Sequence, residues 1–506
     1  MSEQGQARLL MEMVAELHQR GYGKLKLSCY VKEGIGAWRN TLFAADRWQG
    51  RHYDDEVFGW EITNATDPQQ AADEFMKSES EFLQAAQGHD PVYEAWYAKM
   101  LAFSAPDGIL EMERPAGALI YGRNSSYPVA PLSYPGDGPV PDANGKLLEA
   151  LLATNRIRMN PGSLLRMNFP AKPGGFDFAK VEGMLLGIAI GDSLGAPTES
   201  LLPVVRRQRY GELRDYIPNR YTSEARGFPT DDTQLSFWLV EQMLQDNGFV
   251  PENVAFRFAN SGRIYGIGST VRGFLGNFKA GLPWYECGPD SAGNGALMRI
   301  APILLPHLRT GGAGLAVDAA LAGMITHNSF ASNAACVAFA VMLWELLDMD
   351  RAPSDDWWLR RYVELARELE GEVVYAPRGG SFPDFRGPLW QYTRERIRWA
   401  QSRELSVLDA CNHWYSGAYL LETLPSAIYI LMRYADEPEE AMVRAVNDTK
   451  DNDTVAAIVG AALGALHGAE AFPKRWIAKL SGRTGQDDDG RVFELIREAK
   501  REFWRN

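Results

Sequence analysis

Glycines recur every fourth residue at Gly183, Gly187, Gly191 and Gly195, inside the otherwise apolar run GMLLGIAIGDSLG. That spacing places them on one face of an α-helix. A face without side chains lets another backbone come into direct contact, so the run predicts a helix packed tightly against a partner helix. Gly- and Ala-rich apolar stretches at 181–194, 231–245, 331–347, 416–434 and 454–467 extend the pattern, and strand signals there are weak. From Phe176 onward the chain reads as an all-α domain spanning 176–506.

The N-terminal part reads differently. Leu9, Leu10, Met13, Val14 and Leu17 recur at helical spacing, whereas Leu25, Leu27, Cys29 and Val31 alternate with polar residues as a half-buried strand does. Gly34 and Gly36 predict a turn into a second strand near 38–44. Helices are expected at 69–87 and 91–103, and strand-like pieces at 109–112 and 118–121. Five prolines between Pro128 and Pro141 mark a linker or an ordered crossover loop over 128–146, followed by a short helix at 146–157. The expected organisation is mainly α: a smaller α+β domain over 1–170, then the helical domain.

Two acidic clusters lie about 220 residues apart in that helical domain: Thr230-Asp231-Asp232-Thr233 and Asp451-Asn452-Asp453-Thr454. Each precedes an apolar run, and Thr and Asp are favoured at helix N-caps, so each is first of all a helix start. Brought together, Thr230, Asp231, Asp232, Asp451, Asp453 and Thr454 form an all-oxygen cage with four negative charges. Such a cage suits hard divalent cations, whereas Zn²⁺ prefers nitrogen and sulfur. Four adjacent carboxylates repel one another unless cations neutralise them, which points to two Mg²⁺ or Mn²⁺ ions. Glu199 follows the helix stop at Pro197 and is placed to act as an acid, base or orienting group. Asp192 reads as the holder of a backbone turn. Gly293-Asn294-Gly295 reads as a turn, His327 as a core or capping histidine, and Arg299 as the partner of either a phosphate or a structural carboxylate.

The chain carries a formal net charge of −13. Phosphate-backbone binding needs clustered positive charge, so nucleic acid is not an expected partner. Cys29, Cys287, Cys336 and Cys411 lie far apart with no CxxC pair, as expected of reduced, mostly buried thiols. No signal-peptide layout and no apolar run of membrane-spanning length is present. A cytosolic location is expected.

The motifs, taken in order, resemble the ADP-ribosylglycohydrolase family. They are the opening segment GMLLGIAIGDSLGAPTE, then Pro229-Thr230-Asp231-Asp232-Thr233, the loop Gly266-Ile267-Gly268-Ser269-Thr270, and Gly293-Asn294-Gly295-Ala296-Leu297-Met298-Arg299. Thr326-His327 and Asp451-Asn452-Asp453-Thr454 complete the series. The resemblance implies an all-helical fold with a binuclear Mg²⁺ or Mn²⁺ centre held by Thr230, Asp231, Asp232, Asp451, Asp453 and Thr454. It implies an essential Glu199, and an ADP-ribose cradle at Gly293, Asn294, Gly295, Met298 and His327. Glu199 and Asp232 are the expected catalytic carboxylates. Where many members have Gly-Gly before the second acidic cluster, this chain has Thr449-Lys450.

The expected activity is hydrolysis of the bond at C1″ of ADP-ribose attached to protein, with arginine as the leading linkage. Residues 1–170 are expected to recognise a modified protein or to block an ADP-ribosyltransferase toxin, as an immunity factor would. A catalytically silent ADP-ribose binder and an unrelated two-metal phosphohydrolase are the competing classes. A complete ligand set argues against the first, and the lack of histidine in the clusters argues against the second.

Overall fold

The computed structural model describes residues 25–32, 37–44, 73, 143–218, 223–486 and 488–504 of the chain. The chain divides into two compact units, 1–120 and 121–506. In the first, β1 (Leu25–Lys32) and β2 (Ala37–Ala44) form an antiparallel pair in register Leu25↔Ala44 through Lys32↔Ala37. The pair coincides with the alternating stretch of sequence. Apart from Asp73, which is helical, the expected helices at 69–87 and 91–103, the strands at 109–112 and 118–121, most of the segment at 128–146 and any recognition surface there lie outside the described residues.

The second unit is helical. The helices that build and support the site are α1 (Ala143–Ala153), α2 (Ala179–Gly195), α3 (Pro203–Tyr210), α4 (Asp231–Asp246) and α5 (Ser269–Lys279). With them stand α6 (Gly314–Met324), α7 (Phe330–Leu346), α8 (Leu420–Tyr434), α9 (Pro438–Asp448) and α10 (Asn452–His467). Among the described residues no helix is long and apolar enough to cross a membrane. Cys287, Cys336 and Cys411 are buried free thiols.

At the centre α2 and α10 run antiparallel, backbone against backbone. A Cβ on Gly183 would overlap Gly468, one on Gly187 would overlap the Gly460 carbonyl, and one on Gly191 would overlap Ala456. A Cβ on Gly195 would overlap the backbone of Asp453, and Gly464 meets Gly183 in the same way from the other side. Every residue from Gly183 to Gly195 is buried, as is every residue from Asn452 to Leu466. Helices apolar all round belong in a core. This antiparallel pairing sets the C-terminal end of α2, with Asp192 and the turn to Glu199, beside the first turn of α10.

Two boundaries differ from the sequence expectation. The domain boundary was expected near 170–176, yet residues from Ala143 onward pack on the helical unit. Leu147, Leu148 and Leu151 are buried, and Asn144 Nδ2 donates to Phe249 O at 3.0 Å and to Asp318 Oδ1 at 2.7 Å. Breaker-rich composition marked an irregular path there, and composition alone does not distinguish an ordered crossover from a linker. The helix expected from 416 begins at Leu420. Tyr415 and Ser416 both adopt positive φ, 73° and 46°, which ends helical propagation. The following residues cross to pair Tyr419 with Gly293.

Candidate active site

The Thr230 and Asp451 positions do cap helices, but not with their own side chains. The cap of α4 comes from α2. Asp192 accepts from the Thr230 amide at 2.7 Å and the Thr233 amide at 3.1 Å, and from both hydroxyls at 2.6 Å. Asp192 therefore satisfies the amides exposed at the start of α4 and leaves Asp231 and Asp232 free of capping duty. The turn-holding role expected for Asp192 is thus played across two helices.

The two first turns meet. One carboxylate oxygen each from Asp192, Asp232 and Asp453 lie within 4.8 Å of one another, and so do one each from Glu199, Asp451 and Asp453. Asp453 belongs to both groups. Thr454 Oγ1 lies 3.4 Å from Asp232 Oδ2, and the Thr454 amide donates to Asp453 Oδ1 at 2.9 Å. Asp231 lies beside these groups under the 266–270 loop, where a Cβ on Gly266 would come within 2.9 Å of Asp231 Oδ1. Gly266 also has φ +77°, so both its backbone and its neighbour require glycine. Thr230 Oγ1 gives its hydrogen to Asp192, which leaves its lone pairs for another partner.

The electrostatics are one-sided. Burial first, then Glu199 and Asp192, raise the Asp231 carboxyl well above the ordinary range. Burial followed by Asp192 and Asp231 does the same for Asp232, and burial followed by Glu199 and Asp451 for Asp453. Arg272 on α5 is the cation whose charge faces Asp231 and Glu199, a neighbour that no motif indicated. Asp232 Oδ1 is sealed from solvent and has no hydrogen-bond partner among the described residues. A buried anionic oxygen without a donor is costly, and the donor set around it is entirely oxygen. These residues fit a hard divalent cation.

Arg206 ties the two halves together. Fully buried on α3, it donates to Thr198 Oγ1 at 2.9 Å and to the carbonyls of Thr198 and Leu201 at 3.2 and 3.0 Å. From the same guanidinium it donates to Asn447 O at 3.2 Å, Thr449 O at 2.7 Å and Lys450 O at 3.4 Å. The turn carrying Glu199 and the turn carrying Asp451 are thereby held by one planar fork.

The Thr449-Lys450 pair is tied down in the loop before the second cluster. Thr449 Oγ1 donates to Ala445 O at 2.7 Å, and Lys450 Nζ donates to Tyr415 Oη at 2.5 Å while lying 4.2 Å from that ring's centroid. The Lys450 and Asp451 amides both donate to Ser416 O, at 3.2 and 2.9 Å. The left-handed Tyr415–Ser416 corner thus supports the Asp451 turn.

The 293–298 segment lies beside the carboxylates. Asn294 Nδ2 donates to Asp451 Oδ2 at 2.5 Å and to Thr423 Oγ1 at 2.9 Å. The His327 ring lies against Gly293 and Gly295, whose built Cβ atoms would come within 3.2 and 2.8 Å of it. Met298 is buried in the turn Leu297–Arg299. That turn is a three-residue 3₁₀ piece. Arg299 meets neither of its expected partners: it is fully buried, donates to Ala322 O and Thr326 Oγ1, and covers the Phe258 ring.

The ADP-ribosylglycohydrolase family model matches residues 176–503. The chain belongs to the ADP-ribosylglycohydrolase family. It is a hydrolase of that type. An uncharacterized protein of Archaeoglobus fulgidus is 32% identical over 60% of this chain and 92% of its own length. An ADP-ribosyl-[dinitrogen reductase] glycohydrolase of Rhodospirillum rubrum is 26% identical over 62% of this chain and 94% of its own. An ADP-ribosylarginine hydrolase of Pseudomonas putida is 25% identical over 60% and 74%. Among solved structures, an ADP-ribosylglycohydrolase-related protein complex aligns at 27% identity with a TM-score of 0.46, covering 64% of this chain and 97% of that one.

Proposed function

We propose that this family member is a divalent-metal-dependent hydrolase that releases ADP-ribose from modified protein, with the arginine linkage as its substrate. The observation that carries the reading is the meeting of both acidic first turns and Glu199 in one buried, all-oxygen cluster beside the Gly293–Gly295 loop. The arginine linkage follows the relative whose name specifies it. The N-terminal unit, residues 1–120, is assigned to target recognition, whether the target is a modified protein or an ADP-ribosyltransferase toxin.

Thr230, Asp231, Asp232, Asp451, Asp453 and Thr454 hold Mg²⁺ or Mn²⁺ in this reading. Bound divalent cations supply Lewis-acid polarisation of the oxygens they touch. Glu199 is only half-buried, whereas the aspartates around it are buried. It is therefore the carboxylate best placed to exchange a proton with solvent and substrate, and Asp232 is the second catalytic carboxylate. In the reaction the C1″–N bond breaks and a C1″–O bond to water forms. The guanidine leaves with a proton, and positive charge builds at C1″ on the way. Gly293, Asn294, Gly295, Met298 and His327 hold the ADP-ribose. Asn294 joins that cradle to the cluster through its bond to Asp451.

Free ADP-ribose released from arginine-ADP-ribosylated protein is the direct test, run with Mg²⁺, with Mn²⁺ and with EDTA. Metal-dependent release is expected. Release that EDTA leaves untouched sinks the metal reading, and release from serine-linked but not arginine-linked protein sinks the linkage. Either cation should also raise the melting temperature. Binding only the folded state at a hundred times Kd adds about 2.7 kcal/mol.

Arg206→Lys keeps the charge but loses the fork, and one ammonium cannot reach the carbonyls of both turns. Divalent-ion affinity measured by calorimetry is expected to fall about 10–100-fold, the usual effect of losing a group that orients metal ligands. Unchanged affinity would show that the two turns hold their positions without it.

A further inference from the structure

The buried Arg299 has a consequence that reaches the ligand cradle. Its Nη2 donates to Ala322 O at 3.0 Å and to Thr326 Oγ1 at 2.7 Å. Among the described residues no carboxylate is bonded to it, and its guanidinium carbon lies 4.9 Å from the centroid of the Phe258 ring. Burial lowers its pKa to about 10, with the Cys336 thiol opposing, so it stays cationic at neutral pH.

A guanidinium has no acceptor atom, so the direction of the next bond is determined. Thr326 Oγ1 must accept from Arg299. Thr326 is itself fully buried, and its hydroxyl hydrogen also needs an acceptor. Among the described residues that acceptor is His327 Nδ1, at 2.9 Å. The reverse arrangement, with Nδ1–H donating to Thr326, would leave the hydroxyl hydrogen buried and unmatched at a cost of about 1–3 kcal/mol. If Nδ1 accepts, a neutral imidazole carries its proton on Nε2. Burial, followed by the Arg299 charge, pushes the His327 pKa down to about 3, so the neutral ring is the relevant one.

The Nε2 edge faces the glycine loop. A Cβ built on Gly293 would lie 3.2 Å from Nε2, and one on Gly295 would lie 3.1 Å from Nε2 and 2.8 Å from Cε1. Nε2 has no hydrogen-bond partner among the described residues. The two missing side chains thus leave a ring N–H against the loop without a protein acceptor.

We infer that Arg299 and Thr326 are positioning residues that lock His327 in its Nε2–H form, so that this point of the Gly293–Gly295 loop donates a hydrogen bond and selects an acceptor oxygen, such as a phosphoryl oxygen, on the ligand. The tautomer lock stands on the hydrogen-bond geometry alone. The ligand half rests on the proposed ADP-ribose reading of the loop.

The test uses the full-length protein with ¹⁵N-labelled histidine, and long-range ¹H–¹⁵N correlation spectra with His327 assigned by its loss in His327→Gln. The expected spectrum of the free protein has an unprotonated Nδ1 and a protonated Nε2, unchanged between pH 6 and 8. A protonated Nδ1, or a pH-averaged signal, overturns the lock. Thr326→Val should collapse the signal into mixed tautomers, and Thr326→Ser should restore it; a Val variant with the wild-type spectrum also overturns the lock.

ADP-ribose added with Mg²⁺ should then shift the Nε2 resonance. Its Kd should weaken about 3–10-fold in Thr326→Val, the worth of one neutral hydrogen bond, and recover in Thr326→Ser. Binding of ADP-ribose without an Nε2 shift overturns the ligand half alone. Absence of any ADP-ribose binding to the wild type removes the functional reading and the ligand half together, while the free-protein spectrum still decides the lock.

Discussion

Asp232→Asn is expected to lower ADP-ribose release about a thousandfold in Mg²⁺ and, at the same time, to raise the melting temperature of the protein in EDTA. Both effects have one cause. Asp232 is buried, and after burial itself the groups raising its pKa are Asp192, Asp231, Asp451 and Glu199. In the metal-free protein every one of these interactions opposes ionisation. An amide of the same shape removes one charge from the group and still offers Oδ1 as an acceptor for the Thr454 hydroxyl, which lies 3.4 Å from Asp232 Oδ2. Each pKa unit of relieved repulsion is worth about 1.4 kcal/mol, and about 2 °C per kcal/mol is expected for a unit of this size.

With cations present the sign reverses. The same charges become ligands, and their loss removes several kcal/mol of charge stabilisation, about 4 kcal/mol for a thousandfold. Melting curves of wild type and variant should therefore cross over: the variant melts higher in EDTA and the wild type higher in saturating Mg²⁺. Full turnover in Asp232→Asn, or a variant that melts lower in EDTA, would show that the cluster is a structural network and not a cation site.

Gly187→Ala should destabilise the fold by about 3 kcal/mol, although alanine is the better helix former by about 1 kcal/mol. The added methyl would overlap the carbonyl of Gly460 and approach Phe472 Cζ to 2.9 Å. A backbone carbonyl has no rotamer to retreat into, so α2 and α10 must separate along their length. Overpacking usually costs about 1–3 kcal/mol, and a backbone clash belongs at the upper end. The same separation moves Asp192 on α2 away from Asp453 on α10, so divalent-ion affinity should fall in parallel with the denaturant midpoint. Gly145→Ala is the matched control: it lies in α1 with nothing within 4 Å of the added atom, so it should be neutral or slightly stabilising. Equal effects of the two substitutions would mean that the glycine face is not the contact that sets the helix spacing.

The features legible in the chain are those written in adjacent residues. The four-residue glycine spacing specifies a bare helix face whatever it meets, and α2 begins and ends within two residues of the expected bounds. Thr230-Asp231-Asp232 and Asp451-Asn452-Asp453 each mark a helix start locally, and those helices begin at Asp231 and Asn452. Charge and residue type alone suggested that the two starts share a cation, and motif order supplied the family.

Other features have no local signature. Asp192 caps α4 from another helix, Arg206 joins two turns separated by about 250 residues, and Asn294 reaches Asp451 across 157 residues. Arg299 looked equally suited to a phosphate or a carboxylate because a guanidinium serves both. It took the packing around Phe258, Ala322 and Thr326 to turn it toward His327. The short-range pattern determined which helices exist and which faces they must bury. Only the tertiary structure decided which polar side chain answers which, because a hydrogen-bond partner is chosen by distance in space and by the penalty of leaving a buried group unmatched.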